Sequence, residues 1–253
     1  MSVEPRPARA AEARRSRSDL LVIIPAFNEG ASLPAVLDEI RQHPTQPDIL
    51  VIDDASTDET PRLLRRLNVK WIRLPQRLGT GAAVRIGLRH ALPLGYDIVV
   101  RLDGDGQHPA EVIDRLLEPL KRGEADVVVG SRYVGSERPD IPIARRLTQW
   151  TLGVILSIIT GQRVTDPTSG LWAFGPDAVR LLAEHHPSGY PEPELILFLS
   201  RNSMRVKECP VTMRDRLAGR SSLTLHRTGA AMARLLLLLV VVPLRSAIGG
   251  SDD

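Results

Sequence analysis

The chain has 253 residues, 43% hydrophobic and 25% charged, with a formal net charge of +3 at pH 7. That length can bury the core of one large α/β domain, and the composition excludes disorder over most of the chain and gives no indication of nucleic acid as a partner. The single cysteine, Cys209, excludes an intrachain disulfide and a cysteine-built metal site; it fits a reducing cytoplasm and reads as a small core residue.

Residues 1–18 hold five arginines and no apolar core, so they read as a flexible basic tail and not as a secretory signal. Residues 20–24, closed by Pro25, are a short aliphatic run of the kind buried in a parallel sheet. A helix follows from Leu33, with Leu33, Val36, Leu37 and Ile40 at helical spacing. Residues 49–52 form a second strand running straight into Asp53 and Asp54, after which Ser56 and Glu59 read as a capping box. A third strand is expected at 70–74, then the glycine-punctuated turn "GTGAAVRIGL" leading into a helix. The fourth strand, 98–102, ends at "DGDGQHP", where Pro109 suits the first position of a helix whose apolar face is Val112, Ile113, Leu116, Leu117 and Leu120. His108 is read as capping that helix. A fifth strand is expected at 126–130.

Strand and helix alternate at βαβ spacing, which predicts a doubly wound α/β fold with a mostly parallel central sheet flanked by helices. The pattern weakens after Ser131. An apolar helix over 141–160 carries Arg145, Arg146 and Trp150; "TDPTSG", more helix, a helix over 192–202 and a last strand over 206–213 follow. The longest apolar run, 235–244, has ten residues between Arg234 and Arg245, against the roughly 20 that span a bilayer.

Ligands of open α/β sheets sit beyond the carboxyl ends of strands. Three acidic positions are expected there: the Asp53 and Asp54 pair, Asp103 with Asp105, and Asp126. Asp103 and Asp105 offer two hard oxygen ligands close enough to share one Mg²⁺ or Mn²⁺, with Gln107 and His108 just beyond them. Such a cation can hold a diphosphate. The "GTGAAVRIG" turn lacks the glycine spacing of a dinucleotide-binding fingerprint and follows the third strand instead of the first.

Five stretches in order, "VIIPAFNEG", "VIDDASTDET", "GTGAAVRIGL", "RLDGDGQHP" and "GSRYVG", resemble the motifs of family-2 glycosyltransferases with the GT-A nucleotide-sugar fold. Within that family the chain is most similar to polyprenol-phosphate sugar transferases of the dolichol-phosphate mannose synthase type. The resemblance spans residues 20–220 and implies a GT-A catalytic domain over 19–222, followed by an apolar or amphipathic helix and short tail over 223–253. It implies that Pro25, Asn28 and Glu29 line the nucleotide pocket, that Asp54 faces the base or ribose with Asp53 in support, and that Gly81 belongs to the same donor site. Asp103 and Asp105 would be the metal motif, with Gln107 a further ligand. Arg132 would meet phosphate, Asp166 would lie near the acceptor, Glu194 would start the following helix in the donor site, Arg216 would belong to a loop that closes over the phosphates, and Arg220 could supply the charge of a missing lysine. Two departures, Thr80 in place of a lysine and "GRSS" with Ser222 at a second lysine position, leave the donor and acceptor open.

The function so implied is an inverting, Mg²⁺- or Mn²⁺-dependent transfer of a sugar from a nucleoside-diphosphate sugar to polyprenyl phosphate at the cytoplasmic face of the membrane. Two alternatives stay open: the same chemistry onto a saccharide or other hydroxyl, and a catalytically silent nucleotide-sugar-binding subunit. An anionic phosphate nucleophile needs no strong base, so Asp166 would orient; a hydroxyl would need Asp166 as base. Arginines beside short apolar helices suit either a peripheral membrane contact or a separate membrane subunit, and buried core helices explain the same pattern.

Overall fold

A computed structural model of the protein describes residues 19–135, 142–185 and 191–214. Its centre is a seven-stranded sheet built from β1 (Leu20–Ala26), β2 (Asp48–Asp53), β3 (Lys70–Arg73), β4 (Ile98–Arg101), β5 (Val127–Ser131), β6 (Trp172–Phe174) and β7 (Val206–Pro210). The strand order is β3-β2-β1-β4-β6-β5-β7. All neighbours pair in parallel except β6, which runs antiparallel to both β4 and β5.

The helices are α1 (Leu33–Arg41), α2 (Thr60–Leu64), α3 (Thr80–Leu94), α4 (Val112–Lys121), α5 (Ile143–Thr160), α6 (Pro176–His185) and α7 (Pro191–Arg201). They cover both faces of the sheet, and the alternation of β1 shows how. Leu21 and Ile23 join one core with residues of α3, α5, α6 and α7, whereas Leu20, Val22 and Ile24 join a second core with α1 and α4. A strand buried on both faces has to be apolar at every position, which is why "LLVII" is continuous instead of alternating. The four apolar positions expected on α1, Leu33, Val36, Leu37 and Ile40, are all buried. At about 1.5–3 kcal/mol for each fully buried side chain, this face is what docks the helix.

Several expectations need correction. β6 has only three residues and no sequence signal of a strand; its insertion between β4 and β5 makes the sheet mixed. Asp126 lies at the start of β5, not beyond its carboxyl end, and forms an ion pair with Arg205 (2.8 Å) ahead of β7. The Ser56–Glu59 capping box does not form. Glu59 takes the N-cap position of α2 without a side-chain cap bond, and Ser56 instead accepts a bond from the Asn28 N–H (3.0 Å). The helix after "DGDGQHP" starts at Val112, because Pro109 and Ala110 form a preceding turn whose carbonyls accept from Val112 and Ile113. His108 therefore does not cap it. The basic tail over 1–18, the boundary at 222 and the helix over 223–253 lie outside the described residues, as do Arg216 and Arg220. Among the described residues no helix is long and apolar enough to cross a membrane.

Candidate active site

The carboxyl ends of β1, β2 and β4 are adjacent in the sheet, and each continues into a loop that carries chemistry. The first two loops are tied together. Past Pro25, near the carboxyl end of β1, Asn28 adopts a left-handed backbone (φ 58°), and its Oδ1 accepts from the N–H groups of Thr57 (2.8 Å) and Asp58 (3.3 Å). The Glu29 N–H donates to Thr60 Oγ1 (3.0 Å), and the Glu29 carboxylate accepts from Ser32 Oγ (3.0 Å). The same hydroxyl hydrogen is shared with the Gly104 carbonyl (2.7 Å), which links this loop to the Asp103–Asp105 turn.

Asp53 and Asp54 are both buried and do different work. Asp53 Oδ1 accepts from the Ser56 N–H (2.9 Å), and its other oxygen lies 3.5 Å from Arg73 Nε. Asp54 grips the entrance to α3: Oδ1 accepts from the Leu78 N–H (2.7 Å) and Oδ2 from the Gly79 N–H (2.8 Å). Gly79 has φ 89°, a conformation that glycine adopts without cost, and it sets the start of a helix whose first turn buries Gly81. The Asp54 carboxylate is thus engaged by main-chain donors on the side of α3.

The turn after β4 holds Asp103 and Asp105. Asp103 is partly open, with about a third of its side chain exposed (34%), and its Oδ1 lies 3.5 Å from Arg101 Nη2. Asp105 is buried and accepts from the Gln107 N–H (3.0 Å). Gln107 is partly exposed and packs on the segment after β7, where its carbonyl accepts from the Arg214 N–H (2.9 Å). His108 is buried with no hydrogen-bond partner for Nδ1 among the described residues. Burial lowers its basicity, against the pull of the Asp103 and Asp105 charges.

Gly170 completes this corner: a Cβ there would come within 2.0 Å of Asp103 Oδ2. Only a residue without a side chain leaves Asp103 its place. The oxygen donors and this clearance fit a hard divalent cation. Among the described residues no group of three or more His, Cys, Asp or Glu is gathered for a metal, so a cation on Asp103 and Asp105 would draw its other ligands from groups such as the Gln107 amide, water and phosphate.

A second network lies where β5 ends. Arg132 makes a forked pair with Asp166, Nε to Oδ2 and Nη2 to Oδ1, both at 2.6 Å. Arg132 Nη2 also donates to Thr168 Oγ1 (2.9 Å), which accepts from Gln149 Nε2 of α5 (2.7 Å). Gln149 in turn accepts from Tyr133 Oη. Burial is the largest single influence on Arg132 and works against its charge, but the hydrogen bond to Asp166 and the charges of Asp166, Tyr133 and Asp103 together outweigh it and raise the guanidinium pKa. Asp166 has no exposure. Its N–H donates to Glu208 Oε1 of β7 (2.9 Å), so "TDPTSG" is held from both sides.

Glu194 is half-buried in the first turn of α7. Its neighbour Glu192 reaches the Asp103 corner instead: Glu192 Oε1 accepts from the buried Arg101 Nη2 at 3.0 Å. Sequence reasoning misses Arg101, Glu192, Gly170 and Glu208. For Arg101 a signal exists, since a charged residue closing the apolar run "IVV" has to find partners.

A mostly parallel seven-stranded sheet with a carboxylate pair after β2, an Asp-x-Asp turn after β4 and a later acidic loop has the arrangement of a GT-A glycosyltransferase. The sequence comparisons agree. The model of glycosyl transferase family 2 matches residues 21–177, and the chain belongs to that family; it is an enzyme of the glycosyl-transferring class. It is 33% identical over 225 residues to the undecaprenyl-phosphate mannosyltransferase of Micrococcus luteus, covering 85% of this chain and 92% of that one. It is 31% identical to the polyprenol monophosphomannose synthase of Mycolicibacterium smegmatis, covering 85% and 84%. Among solved structures, glucosyl-3-phosphoglycerate synthase from Mycobacterium tuberculosis, in complex with Mn²⁺, UDP and phosphoglyceric acid, superposes with a TM-score of 0.64 at 22% identity, covering 100% of this chain and 86% of that one. That likeness shows the GT-A fold.

Proposed function

We propose that the protein transfers a hexose from a nucleoside-diphosphate sugar to a polyprenyl phosphate, at the cytoplasmic face of a membrane that it touches peripherally. The observation that carries this reading is the double character of α5. One side of the helix buries Gln149 in the Arg132–Asp166–Thr168 network. The other presents Ile143, Leu147, Trp150, Val154 and Ile158 to solvent, 38–77% exposed, at spacings of three and four that make one apolar stripe. A phosphate-handling corner next to an apolar stripe is what a phosphate on a long hydrocarbon chain requires. Arg146, exposed near the start of the same helix, adds a charge that favours an anionic surface. The two relatives above, named for undecaprenyl-phosphate and polyprenol acceptors, point the same way.

In this reading Pro25, Asn28, Glu29, Asp53, Asp54 and Gly81 shape the nucleotide end of the donor site. Asp103 and Asp105, with Gln107 as a further ligand, hold Mg²⁺ or Mn²⁺. When bound, the cation neutralises charge on the departing nucleoside diphosphate. Arg132, preorganised by the forked pair, holds a phosphate, and Asp166 positions Arg132. An acceptor phosphate is already anionic at neutral pH. Its oxygen attacks the anomeric carbon while the bond from that carbon to the diphosphate oxygen breaks, and the electron pair leaves with the diphosphate. No proton has to be taken from the nucleophile, which accords with an Asp166 whose oxygens both face a guanidinium. Glu194, Arg216 and Arg220 remain candidates for the acceptor side and for closure over the phosphates.

The test is a transfer assay with radiolabelled UDP- and GDP-linked hexoses, offering undecaprenyl phosphate in anionic vesicles against soluble saccharides. Product is expected in the lipid fraction only. Ile158→Glu, at the most exposed position of the stripe, should reduce vesicle binding and lipid transfer without lowering Tm. Label appearing on saccharide alone would overturn the proposal.

A further inference from the structure

Arg101 is the residue through which α7 meets the Asp103 corner. It closes β4, its side chain is only 4% exposed, and it sits between two carboxylates at different distances: Glu192 at 3.0 Å and Asp103 at 3.5 Å from the same Nη2. The first is a well-formed hydrogen bond; the second is at the outer limit of one, although the Asp103 charge already acts strongly on the guanidinium. A buried guanidinium has to be paired somewhere. If it closed fully on Asp103 it would neutralise one of the two oxygen ligands available to a cation.

Resting on the donor-site reading above, we propose that Glu192 is a positioning residue that draws the Arg101 guanidinium away from Asp103 and so keeps Asp103 open to a divalent cation. Three features of the molecule agree with this assignment. Glu192 is mostly buried (17% exposed) and Asp103 is twice as exposed (34%), so the closer partner is the one less able to face solvent. Glu192 comes from α7 while Arg101 and Asp103 share one strand end, so the distance between Arg101 and Asp103 depends on where α7 stands. Gly170 leaves Asp103 Oδ2 its room, and although the Arg132 charge also acts on Asp103, that guanidinium is held in the forked pair with Asp166. Arg101 is accordingly the cation paired with Asp103 that competes with a metal, and Glu192 is what occupies it.

The experiment measures free Mn²⁺ by electron paramagnetic resonance in titrations of the full chain with the metal alone, for wild type, Glu192→Gln, and the double variant Arg101→Met with Glu192→Gln. Folding is monitored by thermal unfolding. With the glutamate neutralised, Arg101 turns to Asp103 and Mn²⁺ binding weakens by about tenfold, equivalent to about 1.4 kcal/mol. With both charges removed, Asp103 is free again and binding returns to the wild-type level. Glu192→Gln that binds Mn²⁺ as tightly as wild type overturns the proposal, because a merely structural contact would change stability and leave metal affinity alone. So does a double variant that binds weakly, and that comparison decides the matter even if the single variant fails to fold. Wild type that binds no Mn²⁺ would remove the metal reading and this inference with it, a result distinct from the other two.

Discussion

Single atoms set the limits of the Asp103 corner. Gly170 leaves no room for a Cβ beside Asp103 Oδ2, yet the obstructing atom is the tip of a flexible side chain and not backbone. Gly170→Ala should therefore fold, losing about 1 kcal/mol or less of stability, while Asp103 swings aside and Mn²⁺ binding weakens at least about tenfold. Thermal unfolding and a metal titration check the two halves separately; unchanged Mn²⁺ affinity would contradict the placement of the cation. The Arg132–Asp166 pair makes the opposite prediction. Neutralising one partner of a buried pair costs about 3–5 kcal/mol, so Asp166→Asn should lower stability sharply as well as activity, as chemical denaturation would show. The aspartates are legible from their spacing. Gly170 and Glu192 are not, because each acts on a residue far away along the chain, and Arg101 is legible only as a charge that has to find partners.

Among the secondary-structure elements, α5 faces two environments at once. Sequence periodicity cannot decide between a buried and an exposed apolar face because the helix has both: Leu152 and Leu156 are buried while the stripe through Ile143, Leu147 and Trp150 is exposed. A substitution on the stripe is thus expected to move vesicle binding and not Tm. β7 offers a second test. Cys209 on this strand is buried, and desolvation raises its thiol pKa from 9.0 to about 11, against the weaker opposing pull of Arg115. A folded thiol that titrates higher than an unfolded one keeps its stabilising contribution at all pH values below about 9 and loses it as pH rises through about 11. At about pH 8 the native protein should not react with a thiol reagent that labels the urea-unfolded chain at once; rapid labelling of the native state would show that β7 opens. The short β6 escapes sequence reading because three residues give no periodicity, and its pairing is decided by β4 and β5 on either side.

Across the molecule, the βαβ alternation of the segment up to Ser131, with its apolar strands and amphipathic helices, is enough to predict the parallel half of the sheet and to put both aspartate pairs at strand ends. Beyond Ser131 long-range contacts govern the fold, and there the sequence shows elements without showing how they pack. The two halves meet at one edge of the site: β4 supplies Arg101, its carboxyl end carries Asp103, and α7 and the Gly170 segment close on them. Everything proposed for this enzyme rests on that meeting place being a metal-dependent nucleotide-sugar site. Isothermal calorimetry of UDP, GDP, dTDP and CDP, with and without Mn²⁺, on wild type and Asp105→Ala, probes it without any assumption about the acceptor. One nucleotide should bind wild type only with Mn²⁺, and Asp105→Ala, still folded, should bind none; binding that is indifferent to Mn²⁺ and to Asp105, or no binding by wild type, would contradict a metal-dependent donor site at the end of β4.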